Sequence, residues 1–177
     1  MFRFCPQCRK PITLKGSKLF ECPCGFHFYI NPAPCALALL TNNRNQLLFV
    51  VRGRDPRKGY LDLPGGFLEQ GESAEQGIVR ELKEELGVAL KKIRYIASYP
   101  DRYLYNSINY HVISSAFFGE LSDSEARKMK AADDVSAIEW HSVKKVPVGR
   151  FAFPSMKKIV YDFRKDRPVS RWDKGSS

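Results

Sequence analysis

Between Leu63 and Val88 the chain reads LPGGFLEQGESAEQGIVRELKEELGV, which crowds Glu72, Glu75, Glu81, Glu84 and Glu85 into one stretch of a protein whose formal net charge is +10. Glu81, Glu84 and Glu85 are spaced i, i+3 and i+4, so on a helix their carboxylates share one face. Like charges so placed repel by about a few tenths of a kcal/mol per pair, and a divalent cation reverses that penalty. Oxygen-only ligands suit Mg2+ or Mn2+ rather than zinc. A second group with metal-ligand spacing opens the chain. Cys5-Pro-Gln-Cys8 and Cys22-Pro-Cys24-Gly25 hold four of the five cysteines. In a reducing cytosol, two such pairs suit a metal better than disulfides.

The acidic stretch needs a helix to position it. Ser73 offers an N-cap with Gln76 completing a capping box, and Gly87 sits where a left-handed residue stops a helix, so the spacing predicts a helix from Ala74 to Leu86. Ile78, Val79, Leu82 and Leu86 form its apolar stripe. Gly77 inside it costs about 1 kcal/mol relative to Ala and marks either a close backbone approach or a tolerated substitution. CALALLT and QLLFVVRG read as strands joined by the turn Asn42 to Asn45. Ile93 to Tyr99, Ile108 to Leu121 and Ala137 to His141 read as further strands, and Pro154 to Lys165 as a helix. Cys35 starts a strand as a buried small apolar residue.

At 177 residues and 44% apolar content, the chain suits one ordinary domain plus a small appendage. Residues 1–30 form the appendage, 35–166 the main domain and 167–177 a flexible tail. No apolar run is long enough to span a bilayer and the N-terminus lacks a signal-peptide core, which predicts a soluble cytoplasmic protein without a membrane partner. Lysine and arginine outnumber aspartate and glutamate by 29 to 19. That balance either draws anionic partners such as nucleotides or RNA, or serves solubility alone.

Gly66, five residues, Glu72, seven residues, Arg80-Glu81-Leu82, one residue, Glu84-Glu85, one residue, Gly87-Val88 resembles the Nudix box at every defining position. The resemblance implies an α/β fold, an α/β/α sandwich with a mixed sheet, and a hydrolase that cleaves the pyrophosphate of a nucleoside diphosphate joined to another group. It implies catalytic Mg2+ (or Mn2+) held by Glu81, Glu84, Glu85 and the Gly65 carbonyl. Arg80 would orient the carboxylates, and Glu72 would brace the loop against the helix. For the base that activates water it offers a box glutamate, here Glu81, or an acid on a later loop. In AADDVSAIEW, Asp133 is expected as an auxiliary metal or water ligand, with a solvated strand-entry turn at Asp133 and Asp134 as the alternative.

The paired cysteines resemble the zinc ribbon that precedes the Nudix domain in NADH pyrophosphatases, which implies structural Zn2+ on Cys5, Cys8, Cys22 and Cys24. The second pair is one residue shorter than the usual C-P-x-C-G, which leaves His27 as an alternative ligand. Arg52, Arg54, Arg57 and Lys58 are candidates for substrate phosphates, and Tyr99, Tyr103 or Tyr105 for stacking on a base. SYPDRYLYN replaces the S-Q-P-W-P-F-P-x-S of NADH pyrophosphatases, so NADH specificity does not carry over and ADP-ribose leads. A dinucleotide such as NADH or an RNA 5′ end comes next, a homodimer is a further expectation, and a nucleotide-sensing nucleic-acid-binding regulator remains the reading of another class.

Overall fold

The computed structural model describes residues 3–90 and 92–165, so the tail expected at 167–177 lies outside the described residues. The chain divides between Ala33 and Pro34 into two compact units. In the first, β1 (Thr13–Lys15), β2 (Leu19–Glu21) and β3 (His27–Tyr29) form an antiparallel sheet. Its core is small, with Cys5, Ile12, Phe20 and Cys22 buried together.

The second unit carries the mixed sheet and helices of an α/β fold. In chain order its elements are β4 (Ala33–Thr41), β5 (Gln46–Arg52), β6 (Leu61–Asp62), β7 (Gly65–Phe67), α1 (Ala74–Leu86), β8 (Arg94–Tyr105), β9 (Ile108–Glu120), α2 (Asp123–Lys128), β10 (Val135–Ser142) and α3 (Pro154–Lys165). The strand order is β10-β5-β4-β9-β8, with β6 added to β5 and β7 to β4. Thr41 pairs with Leu47 at the β4–β5 turn, after which β6 borders β5 and β7 borders β4. The sheet opens between those inner edges, and Leu63 and Pro64 cross the opening.

Local sequence explains α1. Ser73 accepts from the Gln76 N–H while the Gln76 side chain accepts from the Ser73 N–H, and Gly87 ends the helix at φ 70°. Ile78, Leu82 and Leu86 are fully buried against Ala36, Ala38, Leu40, Leu48 and Phe117, each worth about 1.5–3 kcal/mol. Val79 is only half-buried; Gly77 and Glu85 take the remaining buried positions. Gly77 is closely approached by side chains, since a Cβ there would lie 2.4 Å from Leu68 Cδ2 and 2.9 Å from Glu72 Oε1, which would have to shift.

On the sheet's other face, Phe118 packs on Phe163 of α3 and Phe49 on Phe151. Burial on both faces is why β4 and β5 read as nearly continuous apolar runs. Strand β8 extends well past Tyr99 because Asn106 and Ser107, both at positive φ, make a two-residue turn into β9. Pro100 does not interrupt it, since β8 is an edge strand and can omit a donor. The unanticipated α2 is held by a Ser122–Glu125 capping box. Among the described residues no helix is long and apolar enough to cross a membrane.

Gly65 has φ 134°, and a Cβ there would sit 2.1 Å from the Ala36 carbonyl oxygen. Gly65→Ala is expected to cost more than about 1 kcal/mol of stability by forcing β7 off β4. Urea melts check this, and an unchanged midpoint would show that the pairing is not needed.

Candidate functional site

Arg80 organises the outer side of α1. Its Nε and Nη2 donate to the two Glu72 oxygens at 3.1 and 2.7 Å, Nη1 donates to Glu81 at 2.9 Å and Glu84 at 3.0 Å, and Nη2 also donates to the Phe67 carbonyl at 3.1 Å. Glu72 further accepts from the Glu69 N–H at 2.7 Å, so it joins the loop after β7 to the helix. The Arg80 hydrogen bonds and the Glu69 N–H hold the Glu72 carboxyl below its usual range. Gly66 makes room for Glu81, since a Cβ there would lie 2.5 Å from Glu81 Oε1.

Although Glu81, Glu84 and Glu85 share a helical face, their side chains take different directions. Glu84 is 49% exposed, whereas Glu85 is 5% exposed and turned inward, accepting from the Gly65 N–H at 2.9 Å. Among the described residues only the four cysteines bring three or more His, Cys, Asp or Glu ligand atoms within 4.8 Å of one another. Glu81 and Glu84 instead share Arg80 Nη1, while Glu85 is held separately by the Gly65 N–H.

Behind Glu85 lies a buried acidic wall. Burial raises the Glu85 carboxyl to about 9 against the Gly65 hydrogen bond, with Asp134, Glu81 and Asp62 adding to the rise. Burial also raises Glu81, opposed by Arg80 and reinforced by Glu84 and Asp134. Asp62 rises to about 6 through burial, even though Arg52 pairs with it at 2.8 Å. An oxygen-only donor set whose members disfavour one another's ionisation fits a hard divalent cation.

The later-loop acid in this wall is Asp134. Pairing of Val135 with Arg52 and a 2.6 Å bond from the Gly53 N–H to the Asp134 carbonyl bring it beside Glu85 and Asp62. Asp133, expected as the auxiliary ligand, is exposed at φ 53° and pairs with Arg54 at 3.5 Å. This pairing places Arg54 on the surface, outside the cavity. The left-handed turn at Asp133 directs its side chain outward and leaves the inward position to its neighbour.

A cavity of about 160 Å³ opens beside the wall, between the split in the sheet and the start of α3. Arg52 and Tyr103, both predicted substrate contacts, line it. Arg52 also lies 5.2 Å from the Phe153 ring centre. Tyr103 packs on Phe67 at 5.7 Å and Phe153 at 5.6 Å, forming an aromatic wall. Of the other two predicted stacking residues, Tyr105 is exposed and packs beside Tyr103 at 6.3 Å, while Tyr99 is 3% exposed and donates to Asp162 of α3 at 3.1 Å, so it belongs to the packing. Sequence reasoning missed Asp62, Phe67, Asp101, Phe153 and Ser155. Asp62 and Phe67 flank the box glycines and were within reach; the other three meet only through the fold. Cys35 is buried as expected but also lines the cavity.

In the first unit, Cys5 Sγ lies 3.7 Å from Cys24 Sγ, and Cys8 Sγ lies 3.5 Å from Cys22 Sγ. A tetrahedral zinc with bonds of about 2.3 Å needs sulfur separations of about 3.8 Å, so the shortened second pair still fits. His27 is engaged elsewhere, its ring nitrogens bonded to the Gly25 carbonyl at 2.9 Å and Glu21 at 3.1 Å. Burial opposes ionisation of Cys5, but hydrogen bonds from the Cys8 and Gln7 backbone outweigh it and bring the thiol to about 7.

Two measurements test these candidate metal-ligand sets. Glu85 rises from 4.5 to about 9 on folding, so between those values the folded chain holds a proton that the unfolded chain releases. Stability without metal should therefore fall as pH rises through that window, and Mg2+ should raise Tm more near about pH 8.5 than near about pH 6. Equal Mg2+ shifts at both would remove Glu85 from the metal site. Elemental analysis should find about one zinc per chain, lost in Cys5→Ser with local unfolding of residues 3–33; no zinc in reduced, chelator-free protein would contradict the assignment.

The model of the NUDIX domain matches residues 31–163. The chain is 33% identical over 152 residues to an ADP-ribose pyrophosphatase of Methanocaldococcus jannaschii, covering 85% of this chain and 80% of that protein. It is 31% identical over 149 residues to the NAD-capped RNA hydrolase NudC of Pseudomonas aeruginosa, covering 82% of this chain but only about half (49%) of that protein. The NUDIX domain of Shewanella oneidensis NrtR, solved with ADP ribose, superposes with a TM-score of 0.64 at 20% identity, over 77% of this chain and 89% of that one. Together with the complete box on α1 and the family-model match over most of its length, these likenesses show that the chain belongs to the Nudix family of hydrolases.

Proposed function

We propose that the protein hydrolyses ADP-ribose, adding water across its pyrophosphate to give AMP and ribose 5-phosphate. The observation that carries this reading is the acidic wall of buried Glu85 with half-buried Glu81 and Asp134, next to a cavity with an aromatic side. The 33% identity to a protein named ADP-ribose pyrophosphatase supports the choice of substrate. Glu81, Glu84, Glu85 and the Gly65 carbonyl would hold Mg2+ or Mn2+, with Asp134 in the place expected for Asp133. When bound, such an ion neutralises the pyrophosphate and makes water more acidic.

This chain's residues have separable tasks. Arg80 fixes Glu81 and Glu84 through one fork of donors, and Gly65 fixes Glu85. Glu81 is our candidate base: burial raises its proton affinity, which favours taking a proton from water. Arg52 is braced by Asp62 and by the Pro56 carbonyl at 2.8 Å, which holds a cation ready for a substrate phosphate. Phe67, Tyr103 and Phe153 offer a surface on which a base or sugar can stack. Five free cysteines suit a cytosolic location.

A second reading, cleavage of NAD-capped RNA or NADH, draws on the likeness to NudC and on the cysteine unit. Side-by-side kcat/KM values for ADP-ribose, NADH and NAD-capped RNA at saturating Mg2+ should favour ADP-ribose, and a clear preference for either other substrate overturns the choice. Glu85→Gln and Asp134→Asn should each lower kcat at least about a hundredfold with an unchanged fold. Asp133→Asn should stay within about threefold, as expected for an exposed pair. Near-normal turnover by Asp134→Asn, or an equal loss in Asp133→Asn, would reverse the assignment of the loop acid.

A further inference from the structure

Asp101 lies on edge strand β8 and lines the same cavity as Asp62 and Asp134. Its Oδ2 accepts a hydrogen bond from the hydroxyl of Ser155, which is 9% exposed at the start of α3. Its Oδ1 accepts from the Arg102 N–H at 2.7 Å. Among the described residues no lysine, arginine or histidine forms an ion pair with it. The carboxylate is therefore held in a fixed orientation at the cavity, with no cation bonded to it.

A carboxylate has about four acceptor positions, and two are occupied here. Two adjacent hydroxyls can fill the remainder together, with one donor to each oxygen or both to one side. Resting on the ADP-ribose reading above, we propose that Asp101, positioned by Ser155, accepts hydrogen bonds from the vicinal diol of a substrate ribose and so selects substrates in which both hydroxyls are free. The aromatic wall of Phe67, Tyr103 and Phe153 flanks this position and supplies an apolar surface for the sugar or its attached base. Removing one hydroxyl, or replacing it by a phosphate that has no donor and carries like charge, leaves the carboxylate unpaired. A site built to bond a hydroxyl rejects the analogue that lacks it more strongly than an apolar pocket rejects a change of size.

ADP-ribose contains two such diols, on the adenosine and on the terminal ribose, and the test separates them. Wild type, Asp101→Asn and Ser155→Ala are assayed with ADP-ribose and with the analogues lacking the adenosine 2′-hydroxyl or the terminal-ribose 2′-hydroxyl. Wild type should prefer ADP-ribose to one analogue by about 10- to 100-fold in kcat/KM, expressed in KM, and that analogue identifies the ribose. Asp101→Asn should lose a similar factor on ADP-ribose, with little change in kcat, and lose the preference. Ser155→Ala should weaken the same preference in part, and it decides the matter if Asp101→Asn does not fold. A merely structural Asp101 would lower activity on all three substrates alike, and that result, or a wild type indifferent to both hydroxyls, overturns the proposal. Failure of the wild type to turn over ADP-ribose overturns the functional reading and this proposal with it; normal turnover with uniform losses overturns this proposal alone.

Discussion

The guanidinium of Arg80 ties three segments of the site together from a single side chain. It bonds the end of β7 through the Phe67 carbonyl, the following loop through Glu72, and its own helix through Glu81 and Glu84. A planar fork with five donors can serve these acceptors at once, which a lysine cannot do. The glycines of the box are the steric counterpart of this bonding: Gly66 admits Glu81, and Gly77 admits Leu68 and Glu72. With the loop so fixed, the Gly65 N–H can meet Glu85 from the other side of the helix.

The acidic wall works against the rest of the core. Glu85 belongs by position to the face that packs α1 on the sheet, yet it carries a carboxyl into that layer beside Asp62 and Asp134. Burial and mutual repulsion favour the protonated forms, and a divalent cation reverses the preference by supplying the missing charge. Stability without metal and readiness to bind it thus oppose each other in the same side chains, as expected where function rather than folding selects a buried polar group. The sheet makes this possible by opening between β6 and β7, so that the acids meet a cavity instead of a closed core.

The first unit faces a different shortage. A core of Cys5, Ile12, Phe20 and Cys22 buries too little apolar surface to stabilise some thirty residues on its own. Two of those four core residues are themselves thiols of the cysteine cluster, so a metal held there would join directly to the core.

The helix α1 was legible to the residue because its determinants are local: a capping box, a left-handed glycine and an apolar stripe all lie within it. The box acids and the two cysteine pairs were legible for the same reason, since their spacing is itself the signal. Side-chain direction was not local. Asp133 and Asp134 are adjacent and chemically alike, and only the turn at Asp133 and the register of β10 on β5 decide that Asp134 faces the cavity. Tyr99, Asp101 and Tyr103 alternate onto one face of β8, yet α3 covers Tyr99 and begins at Pro154, beside Asp101, so the strand passes from packing to cavity within four residues. Sequence alone determined the chemistry this chain carries and the helix that presents it. The tertiary structure decided which acids and aromatics reach the cavity, because contacts between residues far apart in the chain determine where a strand's face is covered and where it is open.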